Sequence, residues 1–175
     1  MQIYDWQLIT EKHGPRVWQI AYRLLGNHSD AADCFQETFL AALEVSRRHH
    51  VRNLPGMLAR LATTRAIDRL RQRGRQERHR TAMQEAPPGS ARDGNPAETA
   101  ETGELTNRLR QAISELPPQE AKAFCLRYFS EMSYRQIAKE LKIKTGAAGV
   151  LLHRAKARLR ENLATEAIPV DEVTR

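Results

Sequence analysis

The sequence predicts an all-α protein: two small helical domains joined by a flexible linker, the C-terminal one containing a helix-turn-helix. Three observations carry this. Apolar residues recur at helical spacing in the long segments on either side of one stretch. That stretch, residues 81–103 (TAMQEAPPGSARDGNPAETAETG), is rich in Pro, Gly and small polar residues and poor in large apolar ones, as a flexible linker is. Residues 133–163 read as a short helix, a tight turn and a basic second helix. The expected division is a domain over 1–80, a linker over 81–103, a domain over 104–165 and a loose tail over 166–175.

In chain order, Trp6, Leu8 and Ile9 mark a short first helix. Val17, Ile20, Ala21, Leu24 and Leu25 then follow the i, i+3, i+4, i+7, i+8 pattern of an amphipathic helix, with Pro15 near its start and Gly26-Asn27 at its end. Ser29 or Asp30 opens the next helix. Its buried side is Cys34, Phe35, Thr38, Phe39, Ala42 and Leu43, while Asp33, Gln36, Glu37 and Glu44 face outward. Acidic side chains crowd its first turns, where the helix dipole favours them.

A basic connection follows, Arg47, Arg48, His49, His50, Val51, Arg52 and Asn53, closed by Leu54-Pro55-Gly56. The third helix carries an apolar stripe through Leu54, Leu58, Leu61 and Ala62. Beyond Ala62 the stripe drifts to Ile67 and Leu70, which predicts a helix leaving the core and turning basic. Its arginines, from Arg60 to Arg80, are opposed locally by Asp68 and Glu77 alone, an imbalance that phosphates would offset. After the linker, Leu105, Leu109, Ala112, Ile113 and Leu116 form another helix, stopped by Pro117-Pro118. Ala121, Phe124, Cys125 and Tyr128 begin the one that leads into the helix-turn-helix.

The helix-turn-helix opens on a capping box, Ser133 with Gln136, and Tyr134, Ile137, Ala138 and Leu141 recur after it. A break at Lys142-Ile143-Lys144 precedes a second helix that Thr145 is expected to cap. Ala148, Leu152, Ala155 and Leu159 make one narrow buried stripe, and His153, Arg154, Lys156, Arg158 and Arg160 lie on the other sides. Such a unit suits the major groove of DNA. A plain helical hairpin with a solvated basic face is the bland alternative.

Composition agrees with an anionic partner. Of 175 residues, 41% are hydrophobic and 28% charged, with a formal net charge of +7. No apolar run reaches the roughly 20 residues of a membrane span, and the first residues lack a signal-peptide layout, so no membrane insertion and a cytoplasmic, nucleoid-associated protein are expected. Cys34 and Cys125 each sit on an apolar helix face and are expected as buried reduced thiols. No catalytic residue, metal site or cofactor is expected. Asp30 and Asp33 are helix-start acids without a nucleophile beside them, His49-His50 belongs to an exposed loop, and no Gly-rich phosphate loop exists.

Residues 30–40, DAADCFQETFL, resemble the helix by which sigma factors of bacterial RNA polymerase grip the core enzyme. Residues 54–73, LPGMLARLATTRAIDRLRQR, are similar to the adjoining promoter-melting helix, through Met57-Leu58, Leu61-Ala62, Thr64, Asp68 and Arg71. The segments LPPQEAKAFCLRYFSEMSYRQIAKEL and LLHRAKARL resemble the promoter-reading domain of that family. Each motif alone is weak, but their order and spacing across residues 6–163 resemble the small extracytoplasmic-function (ECF) class, whose two domains have only a linker between them.

The resemblance implies that Asp33, Gln36, Glu37, Phe39 and Leu40 meet the β′ coiled coil of core RNA polymerase. It implies that Arg47, Arg48, His49, His50, Arg52 and Asn53, with Thr63, Thr64, Arg65, Asp68, Arg69 and Arg71, hold the proximal promoter element as it opens. The second domain would pack on the β flap and read the distal element with Tyr134, Arg135, Lys144, Thr145, Ala147, Val150, His153, Arg154 and Lys156. The linker, acidic at its end, would thread toward the RNA exit path, and an anti-sigma factor is a possible partner.

Two positions depart from the family. Where Lys, Ser and Arg are common early in the recognition helix, this chain has Gly149, Val150 and Leu151. Val150 could touch a thymine methyl but makes no bidentate base contact, so the distal element should be read weakly or differently. Met57 replaces a frequent aromatic and should affect packing alone. The alternatives are a one-component helix-turn-helix regulator acting without core polymerase, and a basic RNA-binding or architectural protein. The sigma-factor reading further expects two modules with separate interiors; one continuous hydrophobic interior would overturn it.

Overall fold

The computed structural model describes residues 4–83 and 100–166, and they are helical throughout apart from turns and short connections. Seven helices are described: α1 (Trp6–Leu25), α2 (His28–Arg48), α3 (Leu54–Ala82), α4 (Ala100–Glu115), α5 (Pro118–Tyr128), α6 (Tyr134–Leu141) and α7 (Thr145–Glu166). Helices α1, α2 and α3 pack on one another, α7 packs on α4, α5 and α6, and α3 also meets α4, α5 and α6. Most of the expected linker, residues 84–99, and the tail from 167 onward lie outside the described residues. Helix reaches into both ends of the expected linker, since α3 runs to Ala82 and α4 starts at Ala100.

The expected short helix before Pro15 is corrected: α1 is one helix of 20 residues with Pro15 inside it. A proline costs a helix one hydrogen bond and crowds the residue before it, chiefly through that residue's Cβ. Here the preceding residue is Gly14, which has none and is buried close to Phe35. The Asp5 carboxylate caps the start, accepting from the Leu8 N–H at 3.1 Å. Gly26 ends the helix at φ 72°, its N–H donating to the Tyr22 carbonyl. Helix α2 begins at His28, one or two residues earlier than expected, capped by Asn27, whose Oδ1 accepts from the Asp30 N–H at 2.8 Å.

The drifting stripe of α3 has a different meaning from the one expected. Ala66 and Ile67 are buried as fully as Leu58 and Ala62 are, and Leu70 is buried too. The helix stays in the core as far as Leu70, and only its basic end, residues 71–82, leaves it, since none of those is buried. It turns a second side toward α4 and α5, and a helix with partners on two sides needs a stripe wider than one face. The buried residues of both halves consequently form one contiguous cluster, against the expectation of two separate interiors.

In the C-terminal half the local expectations hold except at Thr145. The capping box is complete: the Gln136 N–H donates to Ser133 Oγ at 3.3 Å and the Ser133 N–H to Gln136 Oε1 at 2.8 Å. Ala148, Leu152, Ala155 and Leu159 are all buried. Thr145 stands inside the first turn of α7 instead of capping it. Arg158 and the buried Glu120 form an ion pair at 3.0 Å between α7 and α5, a charge contact more than an aligned hydrogen bond. Cys34 and Cys125 are buried and unpaired.

Candidate nucleic-acid interface

Three surfaces carry the residues singled out by the sequence. The first is the outer side of α2. Asp33, Gln36 and Glu37 are exposed and Phe39 half-buried, while Leu40 is 63% exposed, far more than a core leucine. Phe35, Gln36, Phe39, Leu40 and Leu43 join Trp6 and Thr10 of α1 around a shallow, mostly apolar groove of about 350 Å³. An open leucine beside such a groove is a place where a partner helix can bury apolar surface.

The second surface starts at the connection between α2 and α3. Arg47, Arg48, His49, His50 and Arg52 are all exposed. Val51 is held inward by the Tyr4 hydroxyl, which lies 3.4 Å from its N–H and 3.5 Å from its carbonyl oxygen. Asn53 is less free: its Oδ1 caps α3 by accepting from the Gly56 N–H, and its Nδ2 donates to Glu140 Oε1 of α6 at 3.0 Å.

Along α3, Thr64 and Arg65 are half-buried and Asp68 is exposed. Thr63 is a correction: it is 1% exposed, with no partner for its hydroxyl, and it faces the interior instead of nucleic acid. The basic run is also less unbalanced than its own sequence suggests. Arg69 meets Glu37 at 2.6 Å, Asp33 at 3.5 Å and Asp30 at 3.8 Å, and Arg65 lies 3.9 Å from Glu37. Arg73 meets Asp30 at 2.8 Å and donates to the Leu25 carbonyl at 2.9 Å. Burial works against the Arg69 charge, but the bond to Glu37 and the charges of Glu37, Asp33 and Asp30 outweigh it and raise its pKa above the ordinary value. The acids of α2 and the arginines of α3 are thus one network, not two independent surfaces. Arg71 is engaged elsewhere, donating to the Leu116 carbonyl of the C-terminal half.

The third surface is the helix-turn-helix. Arg135, Lys144, Thr145, Ala147, Val150, His153 and Arg154 are exposed and Lys156 half-buried. Tyr134 is exposed; the Arg127 guanidinium lies over its ring at 5.7 Å, and Gly149 packs close beside it. Val150, at 49% exposed, stands open beside Ala147 and Arg154, so its apolar side chain is presented outward and not spent on the core.

Sequence reasoning overlooked Glu140, Arg16 and Ser130, and read Arg60 as part of the basic run without its partner. Glu140 accepts from Asn53 and lies 3.5 Å from Arg60 Nε, and Arg16 donates to the Ser130 carbonyl. Nothing local marks these residues, because each pairs across more than 75 positions of sequence. Among the described residues no cluster of His, Cys, Asp and Glu could hold a metal ion, and no helix is long and apolar enough to cross a membrane.

An exposed helix-turn-helix packed on a second helical unit with a basic edge and an open apolar groove is the layout of a two-part nucleic-acid-binding protein. Residues 9–76 match sigma-70 region 2, and residues 106–159 match sigma-70 region 4. The chain is 32% identical over 160 residues to the ECF RNA polymerase sigma factor SigE of Mycolicibacterium smegmatis, covering 91% of this chain and 62% of that protein. It is 29% identical over 163 residues to the ECF RNA polymerase sigma factor SigW of Bacillus subtilis, covering 89% and 87% respectively. Its fold is similar to that of the sigma factor RpoE in complex with the anti-sigma factor NepR from Bartonella quintana, with a TM-score of 0.59, 20% identity and coverage of 93% of this chain and 98% of that one. The chain belongs to the sigma-70 family, in its ECF class. It spans less than two thirds of the length of SigE. The two halves match different regions of the family, so their common interior is an interface between two units and separate interiors were too strict a requirement.

Proposed function

We propose that this chain is an ECF sigma factor: it binds core RNA polymerase and directs promoter recognition, DNA melting and transcription initiation. The observation that carries the reading is the presence in one chain of region 2 and region 4 in family order, each presenting its own exposed surface. Asp33, Gln36, Glu37, Phe39 and Leu40 would dock on the β′ coiled coil. The polar members would set register, and Leu40 with the groove beside it would supply buried apolar area. The exposed arginines and histidines of residues 47–52, with Thr64, Arg65, Asp68 and Arg69, would hold the opened proximal element. The α7 surface would read the distal element while its half packs on the β flap, with the division between the halves falling in residues 81–103. The protein acts without a reaction of its own, by lowering the free energy of the open complex, and works in the cytoplasm. An anti-sigma factor is a fitting regulator.

Run-off transcription from core polymerase, with and without the chain, tests this directly. Promoter-dependent transcripts should appear only with it. A chain that binds duplex promoter DNA tightly by itself and gives no transcripts with core polymerase would instead be a one-component regulator.

A further inference from the structure

The proximal-element surface and the helix-turn-helix half touch at one polar cluster. Glu140, near the end of α6, is only 10% exposed although it is an acid on a basic half. Its Oε1 accepts from Asn53 Nδ2 at 3.0 Å, and its Oε2 lies 3.5 Å from Arg60 Nε. Asn53 is the cap of α3, so the carboxylate lies against that helix's positive N-terminus as well as against a guanidinium. Gly56 leaves room for it: a Cβ built there would stand 2.5 Å from Glu140 Oε1. Two further contacts flank the cluster, Arg16 to the Ser130 carbonyl and Arg71 to the Leu116 carbonyl.

We propose that Glu140 is an intramolecular latch that, together with the buried packing of α3 on α4 and α5, holds the free chain closed, with the C-terminal half seated on part of the proximal-element surface. In this state Asn53 and Arg71 are committed to Glu140 and Leu116 and cannot contact opened DNA, whereas the α7 surface stays exposed. DNA phosphates and the C-terminal half therefore compete for the same donors. The apparent affinity of the proximal surface is reduced by the fraction of chains that are closed. A promoter element held between the halves needs the latch released, so opening is a step that polymerase or DNA must drive. The occlusion depends on the function proposed above; the closure itself does not.

Two readouts on the full chain keep these apart. Small-angle X-ray scattering of the free protein measures closure, and fluorescence anisotropy with a mixed-sequence single-stranded 12-mer measures access to the proximal surface. Glu140→Ala should enlarge the radius of gyration and tighten oligonucleotide binding by about tenfold, the scale of losing one charge-assisted contact. Arg60→Ala should open the chain too, though less, because the bond from Asn53 to Glu140 remains. Unchanged helicity by circular dichroism in both variants separates a broken latch from a misfolded half. Unchanged dimensions in Glu140→Ala would overturn the latch. Expansion without tighter oligonucleotide binding would overturn the occlusion while leaving the sigma-factor reading untouched, and absence of run-off transcripts would do the reverse.

Discussion

Thr63 buries a hydroxyl without a partner in the middle of α3. An unpaired buried polar atom costs more than an apolar group of the same shape, so Thr63→Val should raise stability by about 1 kcal/mol in urea denaturation. Equal DNA affinity in that variant would confirm that the position faces the interior. Lys142 holds φ at 56° in the turn between α6 and α7, a conformation that strains any side chain with a Cβ. Lys142→Gly should therefore raise the melting temperature, by a net stabilisation of about 0.5–1 kcal/mol after glycine's larger unfolded entropy is counted. Cys34 has a pH signature. Burial pushes its thiol up from 9.0 to about 11, so the unfolded chain loses this proton first. The contribution is complete below pH 9.0 and fades as pH climbs toward 11, the reverse of a salt-bridged carboxylate. Comparing wild type with Cys34→Ala between pH 8 and pH 11, the wild type should lose up to about 2 kcal/mol more, on the order of the shift itself.

At the scale of elements, α2 and α3 work as a pair. Glu37 is shared by Arg65 and Arg69, so Glu37→Gln should release positive charge and give tighter, more salt-sensitive binding to single-stranded DNA. Asp33→Asn combined with Gln36→Ala should abolish binding to core polymerase in a pull-down. The circular-dichroism melt should stay nearly unchanged, because both side chains are exposed. On α7, Val150→Arg should strengthen duplex binding and shift preference toward guanine, since an arginine can bridge two acceptors of that base. A native chain that already selected G-rich over A/T-rich distal elements would contradict the role given to Val150. What the sequence disclosed about these elements depends on range. The capping box of α6 and the buried stripe of α7 were readable because each links residues only three or four positions from the next. The continuity of α1 was hidden because Pro15 is a breaker on average, and only Gly14 before it and Phe35 across from it reveal the exception. The arginines of α3 looked unopposed because their acids lie on another helix, more than 25 positions away.

For the whole molecule, the two-part plan was legible from the abrupt change in composition, whereas the seam between the parts was not. A seam is made of tertiary pairs, and Glu140 looks like an ordinary surface acid until α3 is placed beside it. The drift of apolar residues along α3 was its one visible trace, and it was open to the opposite interpretation. The seam has another property. Arg16 reaches the carbonyl of Ser130, Arg71 that of Leu116, and Arg110 that of Arg23 at 2.9 Å. In all three the acceptor is the main chain, which every residue possesses whatever its side chain. Those bonds place no demand on residue identity at the receiving positions. A C-terminal half grafted from a distant cousin could therefore seat on this N-terminal half, provided its backbone follows the same path and it carries its own counterparts of Arg110 and Glu140.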